Sequence, residues 1–207
     1  MRFKDVVKKV WYFLWEEDSI WSWLANVVIA FVVIKFLLYP GIGFVLGTPA
    51  PIVAVVSGSM EHEGNFDHFW SSQMCCNAAC SEKLTQGDFY EKLNISRDVF
   101  RNFDFVNGFN MGDIMILYSP KNAKLGDVIV YVVANRPDPI IHRVVKVSEE
   151  NGMKYYWTKG DHNCDMGAFE RRIPEDKVIG KAVWRVPFLG WVKIIAVWLW
   201  QSVFGGL

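Results

Sequence analysis

The stretch Ile20 to Tyr39, IWSWLANVVIAFVVIKFLLY, most limits what this chain can fold into. Its 20 residues carry one charge, Lys35. As a helix rising about 1.5 Å per residue, such a run covers the roughly 30 Å hydrocarbon core of a bilayer. Trp21 and Trp23 at one end and Tyr39 at the other suit the headgroup layers. Lys35 can reach a headgroup along its alkyl stem. The run is longer than the apolar core of a cleaved signal peptide. Pro51 also follows the nearest small-residue site, Thr48-Pro49-Ala50, so the segment reads as a retained anchor. Orientation follows the Lys and Arg bias. Arg2, Lys4, Lys8 and Lys9 precede the run, and none follows Tyr39 until Lys83. The bias keeps residues 1–19 in the cytoplasm and sends the bulk of the chain outside.

The 207 residues suit one compact domain beyond the anchor. With 22 basic and 22 acidic side chains, the chain has no electrostatic reason to bind nucleic acid. A hydrophobic share of 52% rules out a disordered chain. Past residue 47 the pattern becomes β-branched and short. Strands are expected at Pro49–Val56, Asp113–Tyr118, Asp127–Val133, Ile140–Val147, Met153–Thr158 and Val178–Val186, with Asn151-Gly152 as a hairpin turn. Together these predict a mainly β, membrane-anchored antiparallel domain formed by residues 48–60 and 112–186. Residues 61–111 read as an insertion, polar and acidic at first, then Cys-rich, then helical around Leu84 to Phe100. The acidic start, with His62 and His68, reads as a solvated loop rather than a metal site. The apolar segment 187–204 reads as a C-terminal helix that either spans the membrane or lies in its interface, since Lys193 and Gln201 divide it.

Four cysteines, Cys75, Cys76, Cys80 and Cys164, allow three disulfide pairings. A bridge from the 75–80 cluster to Cys164 would tie the insertion to the loop after Gly160. Zinc held with His62, His68 or His162, and free buried thiols, are the other two readings.

Chemistry points to four places. Ser59 sits in SGSM at the end of an apolar strand, and His142 sits in IIHRVV. Asp161 and Asp165 follow a strand in GDHNCD, and Gly126-Asp127 opens the strand before His142. A serine hydroxyl is a poor nucleophile at neutral pH and needs a base to take its proton. Histidine can take that proton and return it to a leaving amine. A carboxylate can hold the imidazole in the right tautomer.

The ordered set SGSM, GDVIVY, IIHRVV, TKGDHN and IGKAVWRVPFLG resembles the type I signal peptidases, in their archaeal and endoplasmic-reticulum branch. The bacterial branch carries a lysine base where this chain has His142. The resemblance implies Ser59 as nucleophile and His142 as general base. Of the family's two acidic positions, Asp161 matches the first. Asp165 fits the second if the loop is shortened, which makes Asp165 the expected orienting carboxylate and Asp161 the next choice. The resemblance calls for no cofactor and no metal. It implies as partners secretory preproteins with small residues before the cleaved bond, the lipid bilayer, and other membrane subunits. It implies a cell membrane, or an endoplasmic-reticulum membrane in a eukaryote. Two other classes fit the bare residues: a non-catalytic anchored β-domain acting as a binding or scaffold subunit, and a redox or metal module built on the cysteines.

Overall fold

The structure, a computed structural model, describes residues 2–74, 84–134, 136 and 138–204. The chain divides into two compact units, Met1–Val45 and Leu46–Leu207.

In the first unit, helix α1 (Phe3–Trp15) is followed by α2 (Ile20–Val33), which Ser19 caps by accepting the Ser22 N–H at 3.2 Å. Asn26 Nδ2 donates to the Leu14 carbonyl at 2.7 Å and ties the two helices together. Over Ile34–Leu38 the ladder widens into a π turn just ahead of Pro40, whose ring has no N–H to give the preceding turn. The helix then continues as α3 (Tyr39–Leu46). Ile20–Leu46 is thus one apolar helix of 27 residues, long enough to cross a membrane. It runs past the expected end at Tyr39 because the π turn absorbs Pro40 instead of stopping there.

The second unit is built on a seven-stranded sheet in the order β1-β2-β7-β3-β4-β5-β6, every pairing antiparallel. The strands are β1 (Ile52–Ala54), β2 (Ile114–Tyr118), β3 (Val128–Tyr131), β4 (Ile140–Glu150), β5 (Met153–Lys159), β6 (Ile173–Pro174) and β7 (Val178–Val186). The expected mainly antiparallel fold is present, with β6 as an additional short edge. Asn151 and Gly152 both adopt positive φ between β4 and β5, as a tight hairpin turn demands. Met60, Met115, Leu117, Val128 and Val130 form the core under β1, β2 and β3.

Successive side chains of a strand point to opposite faces. On β4, Ile140 and Val144 enter a core with Tyr131 and Tyr156. Val145 faces the other way, into an aromatic cluster of Phe66, Phe69, Tyr90, Ile95 and Phe100. That cluster belongs to the insertion, whose described part folds into α4 (Phe66–Ser71), α5 (Gln86–Lys92) and α6 (Arg97–Arg101). Thr85 and Asp88 form a reciprocal capping box at the start of α5. The insertion therefore covers the second face of β4 and carries its own packed core.

Cys164 is disulfide-bonded. Cys75, Cys76 and Cys80 lie outside the described residues. A sulfur held in a disulfide is not a thiolate ligand, which removes Cys164 from the zinc alternative. The C-terminal helix α7 spans Trp191–Phe204, 14 residues. At about 1.5 Å per residue it reaches roughly 21 Å, short of the roughly 30 Å core of a bilayer.

Candidate active site

Ser59 lies in the turn that follows β1, and its backbone is fixed on both sides. Met60, fully buried, anchors the turn in the core. The Phe109 N–H donates to the Met60 carbonyl at 3.0 Å, and the His162 N–H donates to the Ser59 carbonyl at 2.9 Å. His142 projects from β4 with 5% exposure. Its Nε2 lies 3.0 Å from Ser59 Oγ, within hydrogen-bond distance, across 83 residues of chain. Ser57 Oγ lies 3.2 Å from Ser59 Oγ. The structure thus brings Ser59 and His142 together as the sequence led us to expect.

The carboxylate beyond His142 is neither expected aspartate. His142 Nδ1 meets Glu170 Oε1, and both side chains are almost wholly buried. Neither atom has another polar partner among the described residues. The two atoms are in close contact without the alignment of a hydrogen bond. Glu170 ends the 3-10 turn Ala168–Glu170, and its Oε2 accepts the Gly167 N–H. Asp165 is exposed, and its Oδ1 accepts the Met166 amide. The loop after Asp161 makes one further turn before reaching His142, so the acid that arrives is Glu170. A carboxylate within the otherwise apolar run Gly167-Ala168-Phe169-Glu170 was the available signal, and motif spacing overlooked it.

Asp161 belongs to a different cluster. It is fully buried, and its carboxylate accepts from Arg143 Nε at 3.0 and 3.1 Å and from Arg143 Nη2 at 2.8 Å. Tyr90 Oη donates to it at 2.7 Å, and His62 Nε2 lies at 2.9 Å. Burial alone would raise the Asp161 pKa. The Arg143 guanidinium and the His62 contact outweigh burial and hold the carboxyl well below the usual range. Burial and the Asp161 charge push the Tyr90 hydroxyl well above its ordinary value. Arg143 also donates to the carbonyls of Asp104, Phe105 and Gly126, so its buried charge is fully bonded. His62 does not belong to a solvated loop: its side chain is wholly buried, with its ring stacked 3.6 Å from Phe69.

Lys159 completes this cluster. Its Nζ donates to Gln86 Oε1 at 2.8 Å, to the Gly160 carbonyl at 3.1 Å and to the Asp161 carbonyl at 3.0 Å. Burial disfavours the ammonium and brings the Lys159 pKa down to about 8, despite the nearby Asp161 charge. An unfolded lysine titrates near 10.4, so between about pH 8 and pH 10 the unfolded chain holds more protons and stability rises with pH. Urea denaturation should show a gain on the order of 1–2 kcal/mol across that window, relative to Lys159→Gln. No difference between the two proteins would contradict the assignment.

Ser57, Ser59 and His142 open into a cleft of about 430 Å³. Ala54 and Val56 line one side, Ile140 and Ile141 another, and Asn163, Arg136, Asp138, Pro139 and Phe169 complete the lining. Arg136 stacks over the Phe169 ring at 4.3 Å. Gly160 lies directly beneath the pair: a Cβ there would sit 2.8 Å from His142 Nε2. Among the described residues no group of three or more His, Cys, Asp or Glu side chains could hold a metal.

No protein-family model matches the chain. Among curated proteins it is similar to the signal peptidase complex catalytic subunit SEC11 of Lachancea thermotolerans, 27% identical over 168 residues covering 77% of this chain and 73% of that one. The sec11 subunit of Schizosaccharomyces pombe is 29% identical over 79% of this chain and 75% of its own. The SEC11 subunit of Eremothecium gossypii is 29% identical over 77% and 74%. Similarity of this extent to one kind of catalytic subunit, on an antiparallel sheet preceded by an apolar helix, supports a Sec11-like type I signal peptidase enzyme.

Proposed function

We propose that this enzyme removes signal peptides from secretory preproteins at a membrane, through an acyl-enzyme formed on Ser59. The observation that carries the reading is the 3.0 Å contact between Ser59 Oγ and His142 Nε2 at the floor of a cleft. With Nδ1 protonated toward Glu170, Nε2 is free to accept the serine proton. Ser59 Oγ attacks the scissile carbonyl as His142 takes that proton, and the imidazolium then gives it to the leaving amine. The Glu170 carboxyl group, buried against Nδ1, stabilises the imidazolium. Water, deprotonated by the same His142, releases the signal peptide as a free acid. Ser57 Oγ and the Ser59 N–H are the donors proposed for the developing oxyanion.

Substrate binding follows from the sheet edge. Among the described residues β1 pairs only with β2 in the sheet, leaving its other edge able to take an extended peptide as an added strand. Ala54, Val56 and Ile141 offer apolar, shallow contacts that suit small side chains before the cleaved bond.

The apolar helix Ile20–Leu46 anchors the enzyme, and the 14-residue α7 lies in the interface with its tryptophans among the headgroups. Enzyme and preprotein then share one bilayer, which raises their effective concentration. The Lys and Arg bias puts residues 1–19 in the cytoplasm and the sheet domain outside. In sealed vesicles of native orientation, protease added on the outside should cut within 61–111 and leave an anchored fragment. Full protection of that segment would reverse the orientation. Partner subunits like those of the relatives' complexes belong to the same reading.

A further inference from the structure

The Ser59–His142 pair does not sit on the sheet alone. The loop Gly160–Asn163 touches both members: its His162 N–H holds the Ser59 carbonyl at 2.9 Å, and Gly160 passes directly under His142 Nε2. The Asp161 N–H also donates to Met60 Sδ at 3.4 Å, next to Ser59. What holds the loop from below comes largely from the insertion. Tyr90 and His62 bind the Asp161 carboxylate, and Gln86 accepts from Lys159, which in turn holds the Gly160 and Asp161 carbonyls.

Resting on the proposed hydrolytic reading, we propose that Tyr90 and His62 are positioning residues. They fix Asp161, and through the Asp161–His162 backbone they keep Ser59 in register with His142. Residues 61–111 are then part of the catalytic apparatus, and not merely a cover over β4. The His62 ring supports this over simple packing. Asp161, an ionised acceptor, takes the Nε2 proton. Nδ1 is then a bare nitrogen, buried with no hydrogen-bond partner among the described residues and stacked on Phe69. A leucine would fill that space without burying an unmatched polar atom. What the histidine adds is one N–H aimed at Asp161. A loop displaced by even a fraction of the contact distance separates Oγ from Nε2, and misplacement of about 1 Å can cost on the order of a hundredfold in rate.

The test uses the full chain in detergent and a fluorogenic peptide with Ala before the cleaved bond. Competent sites are counted by exhaustive labelling with a serine-directed fluorophosphonate. His62→Leu and Tyr90→Phe should each lower kcat per labelled site about tenfold or more, with KM within about twofold of the original. His62→Gln places an amide N–H near the Nε2 position and should recover kcat to within about threefold of the original. A purely structural role would reduce the number of labelled sites and leave turnover per site unchanged. Turnover per site within about twofold of the original in both His62→Leu and Tyr90→Phe, or equal loss in the Leu and Gln variants, overturns the inference. Ser59→Ala is run in parallel. Cleavage persisting there defeats the hydrolytic reading itself, whereas its loss beside fully active His62 and Tyr90 variants defeats only the positioning role.

Discussion

Ser59→Ala should lower preprotein cleavage by roughly a hundred-thousand-fold while the fold survives, because the nucleophile and its base act as a unit and removing one removes the route. Ser59 is half-buried in a turn already fixed by Met60, Phe109 and His162, none of which uses its hydroxyl. Losing one oxygen there leaves the sheet intact, so circular dichroism and the thermal midpoint should match the original protein. Activity is read as the mobility shift of a labelled model preprotein in detergent. His142→Ala should fall to the same floor, and the double variant should fall no further. Residual cleavage within about tenfold of the original would mean that another group attacks the peptide bond.

The second large effect separates the three acids. Glu170→Gln should lower kcat about a thousandfold, since the amide cannot stabilise an imidazolium and leaves the wrong tautomer favoured. Asp165→Ala should stay within about threefold, because an exposed carboxylate bonded, among the described residues, only to its neighbour's amide has nothing to orient. Asp161→Asn should fall between them and should also lose stability: Arg143 and Asp161 are both buried, and removing one charge leaves the other uncompensated. Glu170→Asp, shorter by one methylene, should retain part of the rate. The reverse order, with Asp165 indispensable and Glu170 dispensable, would require the 160–170 loop to rearrange before catalysis.

The parts of this molecule that were readable in the sequence are those fixed by local chemistry. Short β-branched runs bounded by turn residues placed six of the strands, and Asn151-Gly152 marked a hairpin, because strand and turn preferences act over a few residues. The membrane helix was visible from composition alone, although its end was not, since Pro40 stops a regular helix but not one that can widen into a π turn. Ser59 and His142, which meet in the fold, could be singled out because each sits in a short, distinctive box. Glu170 escaped because its role depends on how the loop after Asp161 turns, and a side chain one methylene longer reaches from a position that spacing rules do not cover. Tyr90 and His62 escaped for a related reason. Their partner Asp161 lies 71 and 99 residues away, and a tyrosine among helical aromatics or a histidine among acids carries no mark of a buried contact. Asp161, the second choice after Asp165, lies beside Arg143 instead, because a carboxylate two residues beyond a strand can serve either an imidazole or a guanidinium. Here the alternation of β4 sends Arg143, not His142, to its side.

On the proposed mechanism Ser59 carries the acyl group during turnover. Acid quenching of a reaction between the detergent-solubilised enzyme and a model preprotein, followed by peptide mapping in a mass spectrometer, reads this directly. The expected result is a mass increment equal to the signal peptide acyl group, as an ester on the peptide containing Ser59 and absent from His142→Ala. Turnover proceeding with that increment on another residue, or with Ser59 unmodified at every quench time, would contradict it.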